Sequence, residues 1–318
     1  MIRVKQLSKD FCGFKAVDSI DFDVAEGENL VLLGTSGCGK TTTLKMLNRL
    51  IEPTSGEVWI GDKNILQQQP EQLRRGIGYV LQNTGLFPHY TVFDNISVVP
   101  KLLGWDDAKI KSRIDELMEK LHLDTGVLQT YPGQLSGGQQ QRVGLARALV
   151  ADPPVLLMDE PFGALDNVTR TKIQAEFKQL DELTRKTIIM VTHDVQEAFE
   201  LGDRICLMDK GKIMQIGTPS ELLFNPANDF VRDFLQGQRL QLEFKAITLN
   251  DIWEQLPDAI TESTTMIAPD MNVWAAMEQL KASGSAINLQ RPNSNQSKSV
   301  SFEQLMAAFN QYQNHKSA

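Results

Sequence analysis

A short glycine-rich stretch of this sequence has the residue types and spacing required to hold the phosphates of a nucleotide. It begins at Gly34 and fits the pattern in which four residues separate one glycine from a Gly-Lys-Thr triplet. In such a loop backbone amides point at the β-phosphate, Lys40 brings positive charge to the β- and γ-phosphates, and the Thr41 hydroxyl is a magnesium ligand. A glycine-rich turn without a ligand is the alternative interpretation. The residues predicted to contact the nucleotide are Gly34, Thr35, Ser36, Gly37, Cys38, Gly39, Lys40, Thr41 and Thr42.

A pair of acidic residues downstream supplies the second half of a nucleotide-hydrolysing site. Asp159 and Glu160 follow the apolar run Val155 to Met158, which predicts a buried strand that ends at the acids. We expect Asp159 to join the magnesium site and Glu160 to orient or deprotonate the attacking water. Paired acids at a strand end also occur as helix N-caps, but the apolar run and the upstream glycine loop favour the catalytic interpretation.

These two stretches can meet only if the surrounding elements form a suitable sheet. Leu30 to Leu33 predicts a buried strand that runs directly into the glycine loop, and Thr41 to Leu50 then has helical periodicity. The apolar runs Val155 to Met158 and Thr187 to Val191 predict two further buried strands, separated by a helix-like segment from Asn167 to Thr184. Because strands alternate with helices, we expect a parallel α/β sheet.

The rest of the chain divides into regions of different character. Short alternating runs from Ile2 to Leu33 predict strands and turns, whereas Phe93 to Leu123 predicts a mostly helical insert. No motif follows Leu235, and a linker is predicted at Gly237 to Leu240. The expected domains are therefore residues 1–236 and residues 237–318.

Composition narrows the class of protein and its compartment. The 318 residues carry a formal net charge of -8, which argues against a nucleic-acid surface. The apolar runs are far shorter than the roughly 20 residues of a membrane-spanning helix. The start of the chain, Met1 to Asp10, lacks the apolar core of a secretory signal. Cys12, Cys38 and Cys206 show no Cys-x-x-Cys spacing, so a reducing cytoplasm without disulfides or zinc is expected.

A third motif, Leu135-Ser-Gly-Gly-Gln139, lies between the glycine loop and the acidic pair. With it, the sequence from roughly Ile2 to Gln236 resembles the ABC ATPase family. In that family the motif presses its serine and glycine amides onto the γ-phosphate held by an opposite subunit, and a helix N-terminus is a natural anion site. The resemblance implies an α/β fold: a P-loop NTPase (RecA-like) core, an N-terminal antiparallel β subdomain, a helical subdomain carrying the signature, and a small C-terminal α/β tail.

Four single residues extend the resemblance to the ABC ATPases. Gln82, in YVLQNTGLFPH, resembles the glutamine that touches magnesium and water and senses the permease. Asp166, in GALD, resembles the aspartate that crosses to the partner subunit, and His193, in IIMVTHD, resembles the switch histidine on the γ-phosphate. Phe11 stands where the family usually presents a tyrosine that stacks on adenine, although a core aromatic is the alternative. The resemblance implies catalytic roles for Lys40, Gln82, Glu160 and His193, magnesium ligation by Thr41, Gln82 and Asp159, and ATP contacts by Ser136, Gly137, Gly138, Gln139 and Asp166.

Three longer stretches point to one branch of the family: TTTLKMLNRLIEPTSGEV, IGYVLQNTGLFPHYTVFDNISVVPKLLGW and LVADPPVLLMDEPFGALD. They are similar to the ATPases of bacterial importers for quaternary amines such as glycine betaine, choline and carnitine. Because the permease and an extracytoplasmic binding protein handle the solute, this assignment rests on resemblance alone. An importer for an amino acid or an oxyanion is one alternative. A soluble ABC ATPase of DNA repair or translation is another, but such proteins usually carry two cassettes or a coiled-coil insert, and this chain has neither.

The resemblance also implies partners. Two copies, as a homodimer, would sandwich two ATP molecules head to tail, and permease subunits would contact Gln82 to Val99, where FPHYTVF supplies aromatic side chains. An extracytoplasmic solute-binding protein would complete the system, and no nucleic acid is expected. The chain would then lie at the cytoplasmic face of the inner membrane, attached through the permease.

The tail beyond Gly237 has a CBS-like pattern in TTMIAPDMNVWAAMEQLKASGSAINL and SVSFEQLMAAF, with Asn, Ser and Gln concentrated at Asn293 to Ser299. In the quaternary-amine branch such tails often contain paired CBS domains that regulate transport. This tail is too short for two copies, so it predicts a single degenerate CBS-like unit. A small α/β tail that supports dimerisation or packing is the alternative.

Overall fold

The protein is described here by a computed structural model that covers residues 1–180, 183, 185–258, 266–291 and 297–317. These residues form two compact units, Met1–Ile216 and Gly217–Ala318. Three parts of the sequence predictions lie outside the described residues: positions 181, 182 and 184 of the helix predicted to end at Thr184, positions 264 and 265 of the CBS-like pattern, and positions 293–296 of the polar stretch.

The first unit contains ten strands arranged in two sheets. The larger sheet has the strand order β10-β9-β3-β8-β7-β6, and within it β6, β7, β8, β3 and β9 run parallel. The strands are β1 (Ile2–Phe11), β2 (Phe14–Val24), β3 (Asn29–Gly34), β4 (Ser55–Ile60), β5 (Lys63–Asn64), β6 (Ile77–Val80), β7 (Val155–Asp159), β8 (Thr187–Val191), β9 (Arg204–Asp209) and β10 (Lys212–Gly217).

The central strands of the larger sheet are apolar because helices and strands cover both faces of the sheet. Every residue of β7 and β8 is buried, and so is β3 from Leu30 onward. The three strands predicted from apolar runs are thus confirmed. The smaller sheet has the order β2-β1-β4-β5 and is antiparallel throughout, as predicted for the amino-terminal region. Its inward side chains join the core that also holds Leu44, Met46 and Leu47 of the first helix.

The α-helices described in the first unit are α1 (Lys40–Leu47), α2 (Pro70–Arg75), α3 (Val92–Leu102), α4 (Asp107–Lys120), α5 (Gly137–Leu149), α6 (Asn167–Lys178) and α7 (Val195–Leu201). Helices α3, α4 and α5 pack against one another, which confirms the predicted helical insert. Helix α6 ends at Lys178, earlier than the predicted Thr184, and Leu180 and Leu183 beyond it are buried. The helix was predicted too long because these buried apolar residues continue its apolar spacing after the helix has ended. Among the described residues, no helix is both long and apolar enough to span a bilayer.

The second unit is a small α/β structure. Its elements are α8 (Pro219–Phe224), α9 (Asp229–Gln236), α10 (Arg239–Ala246), β11 (Met266–Ile267), α11 (Val273–Ser283), β12 (Ile287–Gln290), β13 (Ser297–Val300) and α12 (Phe302–Ser317). Strand β12 pairs in parallel with β11 and antiparallel with β13. Phe244 of α10 stacks on Phe309 of α12 with 4.4 Å between the ring centroids, inside an apolar core. The predicted α/β tail is therefore present, and its assignment as a CBS-like unit stays a prediction.

The boundary between the units differs from the one proposed at Gly237. Helix α8 packs against α10, and the second compact unit therefore begins at Gly217. Helix α10 already begins at Arg239, which leaves only Gly237 and Gln238 of the predicted linker outside a helix. The division into functional domains 1–236 and 237–318 remains a prediction.

Candidate functional site

The predicted catalytic residues come from the carboxyl ends of four neighbouring strands. In the order β3-β8-β7-β6, the glycine loop follows β3, His193 follows β8, Asp159 and Glu160 end β7, and Gln82 follows β6. Parallel strands end at the same edge of a sheet, which is where α/β proteins bind ligands. Residues far apart in the sequence therefore meet along one edge.

The glycine loop between β3 and α1 has a backbone that only glycine can adopt at two positions. Gly34 has φ +150° and Gly39 has φ +106°. A Cβ on Gly34 would lie 2.1 Å from the carbonyl oxygen of Met208, and one on Gly39 would lie 2.4 Å from that of Ala16. Both neighbours are backbone atoms of packed strands, so neither can move aside easily. The loop is thus pressed against β9 and β2, which fixes its curvature.

Lys40 is the first residue of α1 and is 6 % exposed. Its ammonium group donates to the carbonyl oxygens of Gly34, at 2.8 Å, and Thr35, at 2.9 Å. The side chain thus folds back over the loop, with its charge held where the predicted phosphates would arrive. Cys38, whose Sγ lies 3.7 Å from the same ammonium, is buried, and its burial raises the pKa of the thiol.

Thr41 and Asp159, both predicted magnesium ligands, are in direct contact. The Thr41 hydroxyl donates to Asp159 Oδ1 at 2.9 Å. Burial raises the pKa of Asp159, and the hydrogen bond from Thr41 partly opposes that effect. A cation beside this carboxylate would stabilise its charged form. In the part of the chain that the structure describes, no group of three or more His, Cys, Asp and Glu side chains could hold a metal. Any cation here would need hydroxyl or amide oxygens as additional ligands.

Glu160 lies against two other predicted catalytic residues, Gln82 and His193. Its Oε2 accepts a hydrogen bond from Gln82 Nε2 at 2.8 Å and lies 3.2 Å from His193 Nδ1. Glu160 has φ +45°, and its amide donates to the carbonyl oxygen of Val191 at 3.0 Å. This left-handed residue directly follows β7, and its amide ties it to the end of β8. Two neighbours thus orient one carboxylate oxygen.

The predicted signature residues form the first turn of α5. Ser136 is the N-cap, its hydroxyl accepts from the Gln139 amide at 3.3 Å, and Gln139 Oε1 accepts from the Ser136 amide at 2.9 Å. This reciprocal capping box leaves the Gly137 and Gly138 amides at the free end of the helix. Among the hydrogen bonds of the described residues, none joins this turn to the glycine loop of the same chain.

Asp166 has a local structural role that the sequence interpretation did not include. It is the N-cap of α6, where its Oδ1 accepts from the Thr169 amide at 3.0 Å. Hydrogen bonds from the Thr169 side chain and, to a lesser degree, from the Thr169 amide lower the pKa of the Asp166 carboxyl. The proposed role at a partner subunit is compatible with this geometry because Asp166 is exposed. This capping role could have been predicted from the sequence, because Asp is a preferred N-cap residue and Asp166 directly precedes the helix-like segment.

Phe11 lies at the tip of the hairpin between β1 and β2. It is 45 % exposed, and the Lys9 ammonium lies 5.0 Å from its ring centroid. The alternative of a core aromatic is therefore excluded by its exposure. Cys12, which follows it with φ +52°, is also exposed, whereas Cys38 and Cys206 are buried. Burial raises the pKa of the Cys206 thiol as well.

The segment after Gln82 presents two exposed aromatic rings on a rigid loop. Phe87 is 47 % and Tyr90 49 % exposed, and their ring centroids are 5.3 Å apart. The fully buried Asn95 holds this loop from behind. Its Nδ2 donates to the carbonyl oxygens of Phe87, Tyr90 and Thr91 at 3.0–3.1 Å, and its Oδ1 accepts from the Phe87 amide at 2.7 Å. Sequence reasoning missed Asn95 because its partners are backbone groups of the preceding loop, and backbone groups do not depend on residue type.

A groove of about 280 Å³ lies beside this loop, with Phe87, Val98 and Arg147 in its lining. The guanidinium of Arg147 donates to the carbonyl oxygens of Thr84 and Gly85, both at 2.7 Å. This fork ties α5, which begins with the signature residues, to the loop that begins with Gln82. Arg147 was also not singled out from the sequence.

Glu197 is a buried acid near His193 that the sequence analysis did not identify. It is 5 % exposed, and its Oε2 accepts from the hydroxyl of Thr192, the residue before His193. Burial raises the pKa of Glu197 to about 7, and Asp194 adds to the increase, whereas Thr192 and Arg170 lower the pKa. The Glu197 carboxyl therefore stays protonated at pH values well above the usual pKa of a glutamate.

We expect the free energy of unfolding to fall as the pH rises from the unfolded to the folded pKa of Glu197. The unfolded pKa is near 4.5 and the folded pKa about 7, so between these values the folded state binds the proton that the unfolded state has lost. The contribution is fully present below pH 4.5 and is lost above about pH 7, a change of about 3 kcal/mol in the free energy of unfolding. Glu197→Gln should remove this dependence in urea titrations at pH 5 and pH 8, whereas Glu200→Gln, on the same helix, should retain it. Equal pH dependence in wild type and Glu197→Gln would contradict the assignment.

Comparisons with known proteins agree with one another. Residues 17–163 match the model of the family described as ABC transporter. The chain is 55 % identical over 241 residues to the glycine betaine/carnitine/choline transport ATP-binding protein of Bacillus subtilis. This alignment covers 76 % of this chain and 63 % of that protein. It is 47 % identical over 274 residues to the osmoprotectant import ATP-binding protein of Salmonella typhimurium, covering 84 % of this chain and 72 % of the relative.

A solved structure supports the same relationship. A dimeric ATP-binding cassette in a post-hydrolysis state, bound to ADP and Pi, matches with a TM-score of 0.62 and 33 % identity, over 69 % of this chain and 98 % of its own. The α/β P-loop NTPase fold expected from the sequence is thereby confirmed. The chain spans about 63 % of the length of the first two curated relatives it matches.

Proposed function

Because this chain belongs to the ABC transporter family of ATP-binding proteins, we propose that it hydrolyses ATP to drive the import of a quaternary-amine osmoprotectant. The observation that carries the catalytic part is the convergence of Gln82 and His193 on Glu160, beside the glycine loop. The relatives from Bacillus subtilis and Salmonella typhimurium support the transport part, since their names describe ATP-binding subunits of such importers. Glycine betaine, choline and carnitine are the proposed solutes.

In the proposed reaction, the protein positions a phosphoryl group and stabilises its charge. The amides of the glycine loop and the Lys40 ammonium hold the phosphates. Gln82 and His193 occupy one oxygen of Glu160, and no hydrogen bond of the described residues engages its other oxygen. That second oxygen is therefore available to accept a proton from the attacking water, with the carboxylate fixed in orientation before the substrate arrives.

We further propose that Thr41, Asp159 and Gln82 hold Mg²⁺. The donor set fits, since hydroxyl, carboxylate and amide oxygens are hard ligands of the kind Mg²⁺ prefers. Asp159 is buried with a raised pKa, and Gln82 uses its amide nitrogen on Glu160, which leaves its amide oxygen for a cation. When bound, the ion would neutralise charge on the β- and γ-phosphates.

The N-terminus of α5 supports a head-to-tail homodimer. The Gly137 and Gly138 amides lie there, in a turn that is a suitable anion site and that no hydrogen bond of the described residues joins to the glycine loop of the same chain. A second copy would supply that loop. The dimeric cassette found in complex with ADP and Pi gives a precedent for such a pairing.

The permease is proposed to bind the segment Gln82 to Val99. Phe87 and Tyr90 are exposed aromatics on a loop whose backbone carbonyls accept hydrogen bonds from Asn95 and Arg147, beside a groove of about 280 Å³. Exposed aromatic residues on a preorganised backbone are the residues that most often contribute binding energy at interfaces. This attachment would place the chain at the cytoplasmic face of the inner membrane, within a system that includes an extracytoplasmic solute-binding protein.

Uptake measurements test the proposed function directly. Cells that express this chain with its neighbouring permease genes should accumulate labelled glycine betaine, choline or carnitine, and Glu160→Gln should abolish the accumulation. The same permease genes without this chain serve as the control. Uptake that persists in the Glu160→Gln cells would contradict an ATP-driven role, and uptake of none of the three solutes would contradict the quaternary-amine assignment.

A further inference from the structure

A cluster of charged side chains joins the turn before α6 to the loop that carries His193. Its centre is Arg170, on the first turns of α6, with a side chain that is 26 % exposed. Arg170 Nη2 donates to the carbonyl oxygen of Leu165 at 3.1 Å, and Nη1 lies 3.5 Å from Asp194 Oδ2. Leu165 precedes Asp166, and Asp194 follows His193. One guanidinium thus bridges two segments to which the proposed function gives separate roles.

The loop that carries His193 is anchored by its own hydrogen bonds. The Asp194 amide donates to Thr192 Oγ1 at 3.0 Å, and the Thr192 hydroxyl donates to the buried Glu197. Asp194 also caps α7 through the amides of Gln196 and Glu197. Because residues 192, 194 and 197 are fixed to one another, a displacement of Asp194 would carry His193 with it.

Two buried side-chain atoms of this cluster, Arg170 Nε and Glu197 Oε1, have no hydrogen-bond partner within the described residues. The Glu197 carboxyl is held on its other side by Thr192, and a hydrogen bond from Gln174 also lowers its pKa. Arg170 lies close enough to Glu197 to interact with it electrostatically. Leaving a buried polar group unpaired is unfavourable, so a shift of Arg170 that gives its Nε an acceptor would be favoured. A packed cluster with two competing arrangements can transmit a displacement from one segment to another.

We propose that Arg170 is a positioning residue that couples the Leu165–Asp166 turn to His193, so that engagement of this turn by the second subunit sets the position of His193 on Glu160. The inference rests on the proposed ATPase function and its head-to-tail dimer. No hydrogen bond or ion pair of the described residues joins Arg170 to the glycine loop or to Glu160, so its effect is expected to pass through Asp194 and His193.

Steady-state ATPase measurements on the full chain provide the test. Arg170→Met should lower kcat by about 10-fold with little change in the KM for ATP, because the glycine loop is untouched. Arg170→Lys retains the charge but has a single nitrogen, so it should recover only part of the loss. Arg142→Met is the matched control: Arg142 also pairs with an acid of α6, Glu176, at 2.7 Å and also has an unpaired Nε, but it does not touch the His193 loop. It should leave kcat within about twofold of wild type.

A second measurement separates positioning from a general structural effect. In a His193→Ala background, single-turnover rates with and without Arg170→Met should be equal, because the group that Arg170 positions is absent. A further decrease by the same factor in that background would overturn the inference, and so would a kcat for Arg170→Met within twofold of wild type. A wild-type chain without ATPase activity would overturn the proposed function together with this inference. An active wild type with an unaffected Arg170→Met variant would overturn this inference alone.

Discussion

Replacement of Glu160 by glutamine is expected to lower the rate of ATP hydrolysis by about 10²–10⁴ while leaving ATP binding intact. Glutamine keeps the size of the side chain and an oxygen that can face Gln82 or His193, which lie 2.8 Å and 3.2 Å from Glu160 Oε2. It loses the ability to accept a proton from water. Because the residues that hold the phosphates are unchanged, the variant should remain bound to ATP and accumulate as the closed dimer.

Phosphate release and size-exclusion chromatography in the presence of ATP would measure both effects. Glu71→Gln is a suitable control, since Glu71 is exposed in the first turn of α2 and lies outside the proposed site. The control should behave as wild type in both assays. Hydrolysis by Glu160→Gln within about threefold of wild type would show that Glu160 is not the proton acceptor.

The second large effect is expected from Gly39→Ala. The new Cβ would lie 2.4 Å from the carbonyl oxygen of Ala16, and φ +106° is a conformation that alanine rarely adopts. Overpacking and backbone strain together should lower the free energy of unfolding by about 2–5 kcal/mol. If the protein relieves the collision by moving the loop, displacement of the phosphate-binding amides by about 1 Å should lower the rate of ATP hydrolysis by about 100-fold.

Gly37→Ala separates steric collision from the mere loss of a glycine in this loop. Gly37 also has a positive φ, +75°, but no atom lies within 4 Å of a Cβ built on it. We expect a cost of about 1–2 kcal/mol for Gly37→Ala, and therefore a clearly smaller fall in Tm than for Gly39→Ala. Equal melting temperatures for the two variants would contradict the argument from close packing against β2.

The strands that position the site could be predicted because burial on both faces leaves a direct pattern in the sequence. Val155 to Met158 and Thr187 to Val191 are uninterrupted apolar runs, and each coincides with a strand of the sheet. The end of α6 was less predictable. Leu180 and Leu183 continue the apolar spacing, but they are buried after the helix has ended at Lys178. Periodicity records which side chains are buried and does not record the backbone conformation between them.

The contacts within the site could not be derived from spacing. Gln82 and Glu160 are 78 positions apart and meet only because β6 and β7 are neighbours in the sheet. Strand order follows from tertiary packing, which motifs do not encode. Asn95 and Arg170 were missed for a different reason, since each donates hydrogen bonds to backbone carbonyls of the loop or turn that precedes it. Every residue has a backbone carbonyl, so the sequence does not show which carbonyls accept these hydrogen bonds.

The distribution of thiols on this chain makes it suited to fluorescence work in its natural sequence. Cys12 is the exposed cysteine, whereas Cys38 and Cys206 are buried with raised pKa values that disfavour their reactive thiolates. A maleimide dye should therefore attach at one position, on the hairpin tip directly beside the Phe11 ring. Such a dye would give an optical signal when a base stacks there, with no cysteine added or removed.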